Sequence, residues 1–371
     1  MKESVVRIDL AERSYDVRIA SGLLRDAGGA LAAWTGAAQA VVVSDTTVAP
    51  LHAQAVLASL AEAGPAARLL TFPAGEPNKT LATVSAVLDD LLAHDPPIDR
   101  KTVILALGGG VVGDLAGFVA AVALRGLRFL QLPTTLLAAV DSSVGGKTGV
   151  DHAAGKNLIG AFHQPAGVLC DVETLRTLPK SELCNGLAEC VKHAVIRDAG
   201  LLDFLESRAA DLLSGEDGDL KFDAGGMIEL IARNVAIKAK VVGEDERESG
   251  VRAHLNFGHT IGHAVETFVG YETMSHGQAV ALGMVAENAL AVARGLLSED
   301  VARRVRDALA ALGLPTRQGG LDAKEIWRLM QYDKKAQAGR VRIALPRALG
   351  DVAVYDDLNA EEVNHAVESL R

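Results

Sequence analysis

The sequence predicts an α/β protein in two parts: a first half built on a mainly parallel sheet, and a second half that is mainly α-helical. Three observations carry that expectation. Apolar runs at 40–45, 68–72 and 102–107 alternate with helical patterns at about 50–63 and 80–93, as in a parallel sheet with helices on its faces. Glycines crowd the turn after the clearest of those strands, over 108–113. From Pro179 onward the apolar period is helical and strands almost vanish, which sets a boundary near residue 178 and domains of 1–178 and 179–371.

At 371 residues the chain exceeds one core of ordinary size, so two domains are the default. Its 49% hydrophobic and 23% charged residues are ordinary for a soluble globular protein. A formal net charge of -10 argues against nucleic acid or an anionic membrane as partner. An anionic substrate must then be met by a local cluster of Lys and Arg. Cys170, Cys184 and Cys190 form neither a C-x2-C pair nor an even framework, which disfavours disulfides and a cysteine-rich zinc site and fits a reducing compartment. The N-terminus enters a charged alternating segment with no apolar signal core, and runs such as 115–124 are too short to span a bilayer. A cytoplasmic location is expected.

Alternation at 5–10 and 15–20, around Glu12 and Arg13, reads as an antiparallel strand pair. The strand at 102–107 leads into Gly108, Gly109, Gly110, Val111, Val112, Gly113 and Asp114, and then into a helical run over 115–124. Such a strand-to-helix turn lets backbone N–H groups approach a phosphate, and the helix N-terminus favours negative charge. A tight turn needing small residues explains one or two of these glycines but hardly four, so a nucleotide site is the better reading. No acid stands about 20 residues downstream, where the dinucleotide fingerprint places its ribose ligand; Asp45, or Glu76 with Lys79, offers a substitute. A second glycine-rich turn carries Lys147 and is followed by Gly155, Lys156 and Asn157. Gly146, Lys147 and Thr148 resemble the end of a P-loop, but Asp141 stands where that motif needs glycine, which makes an ATPase reading poor. The two lysines suit hydroxyls or phosphate oxygens as well as they suit solvent.

In the helical pattern over 182–196, Glu189 and Lys192 share a face, while Leu187, Ala188, Cys190, Val191, Ala194 and Val195 leave almost no polar side. A buried Glu needs a cation, so Glu189 is a candidate metal ligand rather than half of a surface ion pair. Over 227–242, Lys238 falls on an apolar stripe with Ile228, Ile231, Val235 and Val242. It either snorkels to the edge or points into a polar cavity. Asp245, Glu246, Arg252 and Asn256 lead into His259 and His263, one helical turn apart, with His276 shortly after. Imidazoles with a carboxylate suit a catalytic zinc that keeps an open position. A plain pair of histidines at this spacing is more often packing, but Gly258 and Gly262 make an odd composition for a helix that only packs. The run over 279–293 reads as core, 299–312 as an amphipathic helix, and Lys334 and Lys335 precede a strand at 340–345.

The segments GGGVVGDLAGF (108–118), QLPTTLLAAVDSSVGGKTGV (131–150), GKNLIGAFHQP (155–165), GLAECVKH (186–193), LNFGHTIGHAVE (255–266) and HGQAVALGM (276–284) together resemble the 3-dehydroquinate synthase family. The resemblance implies an N-terminal Rossmann-like NAD-binding domain with a mainly parallel sheet and a C-terminal, mainly α-helical metal- and substrate-binding domain. It implies a homodimer that uses NAD and one divalent metal, zinc first and cobalt as the alternative. Glu189, His259 and His276 would be the metal ligands, with His263 turned to the substrate. Asp141, Lys147, Asn157, Lys192, Lys238, Arg252 and Asn256 would line the substrate pocket, Arg125 would reach the phosphate across the dimer, and Lys334 would add charge. Of these, Lys147, Asn157, Lys192 and Lys238, with His263, would be catalytic.

By the same resemblance NAD would be held by Ala74, Gly75, Glu76, Pro77, Asn78, Lys79, Gly110, Val111, Val112, Gly113, Asp114, Thr134, Thr135, Asp141, Lys147, Lys156, Thr174, Leu175, Arg176 and Thr177, to which the residue pattern adds Asp45. The implied reaction turns 3-deoxy-D-arabino-heptulosonate 7-phosphate into 3-dehydroquinate and phosphate, a step of the shikimate pathway. The alternatives are a related cyclase acting on sedoheptulose 7-phosphate or glucose 6-phosphate, and a metal-dependent NAD polyol dehydrogenase. Lys238, Arg252, Asn256 and His263 agree with the dehydroquinate type. Asp151 and His152, where many relatives carry Asn and Pro, and Ala139, where Gln is frequent, depart from it.

Overall fold

A computed structural model describes residues 3–93, 95–247, 250–270, 273–334 and 341–371, without the side chains of 332–334. The chain forms two compact units, Met1–Leu178 with Asp217–Gly243, and Pro179–Glu216 with Glu244–Arg371. Asp217–Gly243 thus belongs to the first unit although it lies beyond residue 178.

The strands of the first unit are β1 (Ser4–Ile8), β2 (Tyr15–Ala20), β3 (Gln39–Asp45), β4 (Ala66–Phe72), β5 (Val103–Gly108), β6 (Arg128–Pro133), β7 (Lys147–His152), β8 (Gly155–Phe162) and β9 (Gly167–Asp171). Seven of them make one sheet in the order β1-β2-β9-β6-β5-β3-β4. The β1–β2 pair is antiparallel and all later neighbours are parallel. Side chains alternate across a strand, so Val42, Leu105 and Leu107 meet α1 (Ala27–Thr35) and α2 (Ala49–Ala63) through Leu31, Val56 and Leu60. Val41, Val43, Ile104 and Ala106 face the other way, against Val84, Val87 and Leu91 of α3 (Leu81–Leu92) and Leu115 and Val119 of α4 (Gly110–Val122). Helices on both faces explain why these strands read as continuous apolar runs.

Two local readings need correction. The helix expected from 115 begins at Gly110, inside the glycine run. The glycines there serve close packing as well as the turn: a Cβ on Gly113 would lie 2.7 Å from Gln131 Oε1, and one on Gly117 2.5 Å from Thr148 Cγ2. The second glycine-rich stretch is not only a turn but the antiparallel hairpin β7–β8, in which Gly149 faces Gly160. A Cβ on Gly160 would meet the Thr148 carbonyl oxygen at 2.1 Å. Glycine at a close backbone approach hides the alternation that marks a strand.

After Leu178 come α5 (Lys180–Arg197), α6 (Ala199–Leu212), α7 (Ala224–Glu244), α8 (His259–Val269), α9 (His276–Ala293), α10 (Glu299–Ala311), α11 (Ala323–Lys334) and α12 (Ala360–Glu368). A hairpin of Ile343–Ala348 with Asp351–Tyr355 lies between the last two. Among these helices α7 falls in the first unit up to Gly243. In the second unit α9 packs against α5, α8, α10 and α12. It opens with a capping box, Ser275 with Gln278. Beyond its first turn α5 is enclosed: every residue from Asn185 to Ile196 is buried. α8 and α9 approach so closely that a Cβ on Gly283 would lie 1.9 Å from the Gly258 carbonyl oxygen. No helix among the described residues is long and apolar enough to cross a membrane.

Gly283→Ala should therefore push α8 from α9. Denaturant unfolding should register a loss of about 1–3 kcal/mol or more, the usual cost of overpacking a filled core; unchanged stability would contradict this packing.

Candidate active site

In the first unit the chain passes from β3 outward to β4 and then returns to the other side of β3 for β5. Ligands of open α/β sheets bind beyond the carboxyl ends of the strands at such a reversal. Those ends carry Asp45 and Gly108, and α4 starts at Gly110 with no side-chain cap on its first N–H groups among the described residues. Uncapped N–H groups and the helix dipole together are suited to a phosphate. Val111, Val112, Gly113 and Asp114 lie in that first turn. At the end of β6, Thr134 Oγ1 is buried and has no hydrogen-bond partner among the described residues, so a ligand atom would complete it. A Cβ on Gly109 would come within 3.0 Å of Thr135 Cγ2. Asp45 Oδ1 accepts from the N–H groups of Thr47 and Val48, both at 2.8 Å, so that oxygen belongs to the turn into α2.

Ala74, Gly75, Glu76, Pro77, Asn78 and Lys79 make a tight turn around the 3-10 segment Glu76–Asn78. Lys79 is 4% exposed, and its Nζ lies 2.7 Å from Asp114 Oδ2 and 2.6 Å from Asn157 Oδ1. Asn157 holds a left-handed φ of 56° and donates its N–H to Asp151 Oδ1 at 2.7 Å. Lys156 stands 4.0 Å from Glu76. Burial pushes the Asp114 carboxyl above the usual carboxylate range even with Lys79 beside it. Burial works against the Lys79 ammonium, but Asp114 and then Glu76 outweigh it and raise it above its ordinary 10.5. Lys238 points inward and does not snorkel: Nζ donates to Asp141 Oδ1 at 2.7 Å and to the Asp141 carbonyl oxygen at 2.6 Å. Lys147 is exposed at the start of β7. Arg125 is exposed just after α4 with a φ of 67°. Thr174, Leu175, Arg176 and Thr177 share the 3-10 segment Val172–Thr177, where Arg176 pairs with Glu173 at 2.7 Å and covers the Phe222 ring.

The second unit gathers the histidines. His259, at the start of α8, and His276, at the start of α9, each place Nε2 3.3 Å from Glu189 Oε1. Glu189 is wholly buried on α5. Both of its oxygens lack a hydrogen bond among the described residues, so the two imidazoles are near enough to share an ion with it but are not aligned as donors. Lys192, one turn along α5, is ion-paired with the same carboxylate. Burial disfavours the ionised Glu189, yet Lys192 and then His259 hold its carboxyl well below the usual range. His259 Nδ1–H donates to the Phe257 carbonyl oxygen at 3.1 Å, which leaves the Nε2 lone pair facing Glu189. Burial and Lys192 lower this imidazole, whereas at His276 burial is outweighed by Glu189 and the imidazole is raised. Electron-rich atoms converging in this way are reconciled by protons or by a cation.

His263 is exposed, and the ligand nitrogens of His259, His263 and His276 lie within 4.8 Å of one another. Arg252 is buried, takes its backbone N–H to Asp245 Oδ2 at 3.1 Å and bonds its guanidinium to the Glu246 carbonyl. Asn256 closes the short turn Val251–Asn256 ahead of α8. The Lys334 side chain and all of Lys335 lie outside the described residues. One site residue escaped the sequence reading. Glu287, fully buried on α9, accepts the N–H of Gly258 at 2.6 Å and of Ile261 at 3.1 Å. An acid within an otherwise apolar run was the signal that could have found it.

Residues 69–185 match the family model described as 3-dehydroquinate synthase N-terminal, and residues 186–336 match its C-terminal counterpart. The chain belongs to the 3-dehydroquinate synthase family. A 3-dehydroquinate synthase of Desulforamulus reducens is 45% identical over 96% of this chain and 98% of its own. One of Citrifermentans bemidjiense is 49% identical over 90% of this chain and 89% of its own. Among solved structures, 2-epi-5-epi-valiolone synthase from Streptomyces hygroscopicus subsp. jinggangensis, with NAD+ and Zn2+ bound, superimposes with a TM-score of 0.87. It shares 32% identity and covers 98% of each chain. Members of the family are enzymes.

The Lys79 pair gives a test in pH. A raised ammonium contributes stability in full below 10.5 and loses it as pH climbs through the higher folded value. Lys79→Met should flatten the alkaline limb of the stability profile; a limb identical to that of the wild type would contradict the pairing.

Proposed function

We propose that this chain converts 3-deoxy-D-arabino-heptulosonate 7-phosphate into 3-dehydroquinate and phosphate. The sequence of events is a transient oxidation, loss of phosphate, re-reduction, ring opening and an intramolecular aldol addition. The carrying observation is the approach of His259 and His276 to the Glu189 carboxylate, each at 3.3 Å, on a chain 45% identical to a named synthase along nearly its whole length. A buried carboxylate, ion-paired with Lys192 but with no hydrogen bond among the described residues, and two imidazoles make the donor set of a catalytic zinc site with an open position. Glu189, His259 and His276 would hold a divalent cation, zinc first and cobalt second, which supplies Lewis acidity at a substrate hydroxyl. The uncapped start of α4 and the turn from Ala74 to Lys79 would hold NAD, which supplies a hydride acceptor that is regenerated within each turnover. The NAD+ and Zn2+ bound by the valiolone synthase structure support both assignments.

The other side chains bind, orient and move protons. Lys147, Lys192, Lys238 and Arg252 supply the positive charge that an anionic sugar phosphate needs in a chain of net charge -10. A phosphate about 4 Å from one such cation gains roughly 4 kcal/mol at an effective dielectric of 20. Asp141, Asn157 and Asn256 orient hydroxyls, and His263, exposed beside His276, holds or moves a proton at a substrate oxygen. Oxidation of one carbon acidifies the neighbouring C–H, which is what lets phosphate leave. The substrate is placed as the heptulosonate because identity is 45% and 49% to the named synthases but 32% to the valiolone cyclase. We place the protein in the cytoplasm as a homodimer, where exposed Arg125 suits the phosphate in the site of a second copy.

Given the heptulosonate phosphate, catalytic NAD and zinc, the protein should release phosphate without net NADH; accumulating NADH, or no phosphate, would sink the assignment. Glu189→Ala should lose its zinc and lower turnover by more than roughly 100-fold, beyond what supporting residues usually cost. Wild-type turnover by that variant in metal-depleted buffer would refute the ligand role.

A further inference from the structure

We propose that Glu287 is a positioning residue that fixes His259 toward the metal, an inference that rests on the ligand role proposed above. Glu287 lies on α9 roughly three turns beyond His276, and so on the same face of that helix. Its two oxygens span the start of α8, Oε2 to the Gly258 N–H at 2.6 Å and Oε1 to the Ile261 N–H at 3.1 Å. These are donors that a helix leaves without internal partners. Ser, Thr, Asp or Asn at the position ahead of the helix would normally serve the Ile261 N–H, and a Glu or Gln three residues on would serve the Gly258 N–H.

No side chain fits there. Gly258 has a φ of 81°, and a Cβ on it would lie 2.7 Å from Met284 Cγ and 3.0 Å from the Val280 carbonyl oxygen. The cap is therefore supplied from the neighbouring helix. Between the two clamped N–H groups sits His259, and just before them the Phe257 carbonyl that receives His259 Nδ1–H at 3.1 Å. Holding Gly258 and Ile261 sets the direction of that carbonyl, and the carbonyl sets the ring plane and tautomer that present Nε2 to Glu189. Because α9 carries both Glu287 and His276, the same clamp also fixes the spacing between the two imidazoles.

Partners of this kind typically account for about 10–100-fold in metal affinity. Zinc affinity is measured on the full chain, without substrate, by competition with a chromophoric chelator, with NAD affinity as the control. Glu287→Ala should bind zinc about 10–100-fold more weakly and NAD as the wild type does. Glu287→Gln, which keeps one acceptor but faces the second N–H with a donor, should fall between them, and it alone decides the matter if the alanine variant does not fold. Wild-type zinc affinity in the variants, even with a lowered melting temperature, would overturn the inference alone. A wild type that binds no zinc would overturn the metal assignment and this inference with it.

Discussion

A buried carboxylate that has no hydrogen bond among the described residues, ion-paired with Lys192 and faced by two imidazole nitrogens, is the constraint on which the second unit depends. Glu189 can remain ionised in an apolar helix only because Lys192 and the histidines answer its charge. That requirement accounts for features that would otherwise be costly. The enclosing of α5 removes water that would compete for the carboxylate, and the glycines of α8 and α9 let two helices close to a distance that side chains would forbid. A metal-binding group of this type is set as much by the atoms behind the ligands as by the ligands themselves.

The first unit works by a different principle. Its sheet reverses order between β3 and β5, and the strands there end at an uncapped helix start. Charge is handled pairwise: Lys79 with Asp114, Lys238 with Asp141. Each cation is buried against an acid and yet lies among residues suited to a polar ligand. An acidic chain thereby keeps local positive groups without a basic surface.

The alternation of strands and helices, and the burial of Glu189, were legible because both follow from periodicity. A helix with no polar side has to bury whatever acid it carries. The same reasoning applied to the run 279–293 would have flagged Glu287; reading that run as core alone missed it. The hairpin β7–β8 and the early start of α4 were hidden for one reason, that glycine at a close approach leaves no side-chain pattern. Nor could spacing separate the histidines. His259 and His263 are one turn apart and invite pairing, whereas the partner of His259 at Glu189 is His276, from the next helix. That choice came from family resemblance, since contacts between helices leave no local trace.

X-ray absorption at the zinc edge of the reconstituted protein addresses the arrangement most directly. One carboxylate oxygen and two imidazole nitrogens, all about 2.0–2.2 Å from the metal, with the carboxylate contribution gone in Glu189→Ala, is the predicted result. A shell of three imidazoles that is the same in wild type and variant would contradict it, and would make His263 rather than Glu189 the third ligand.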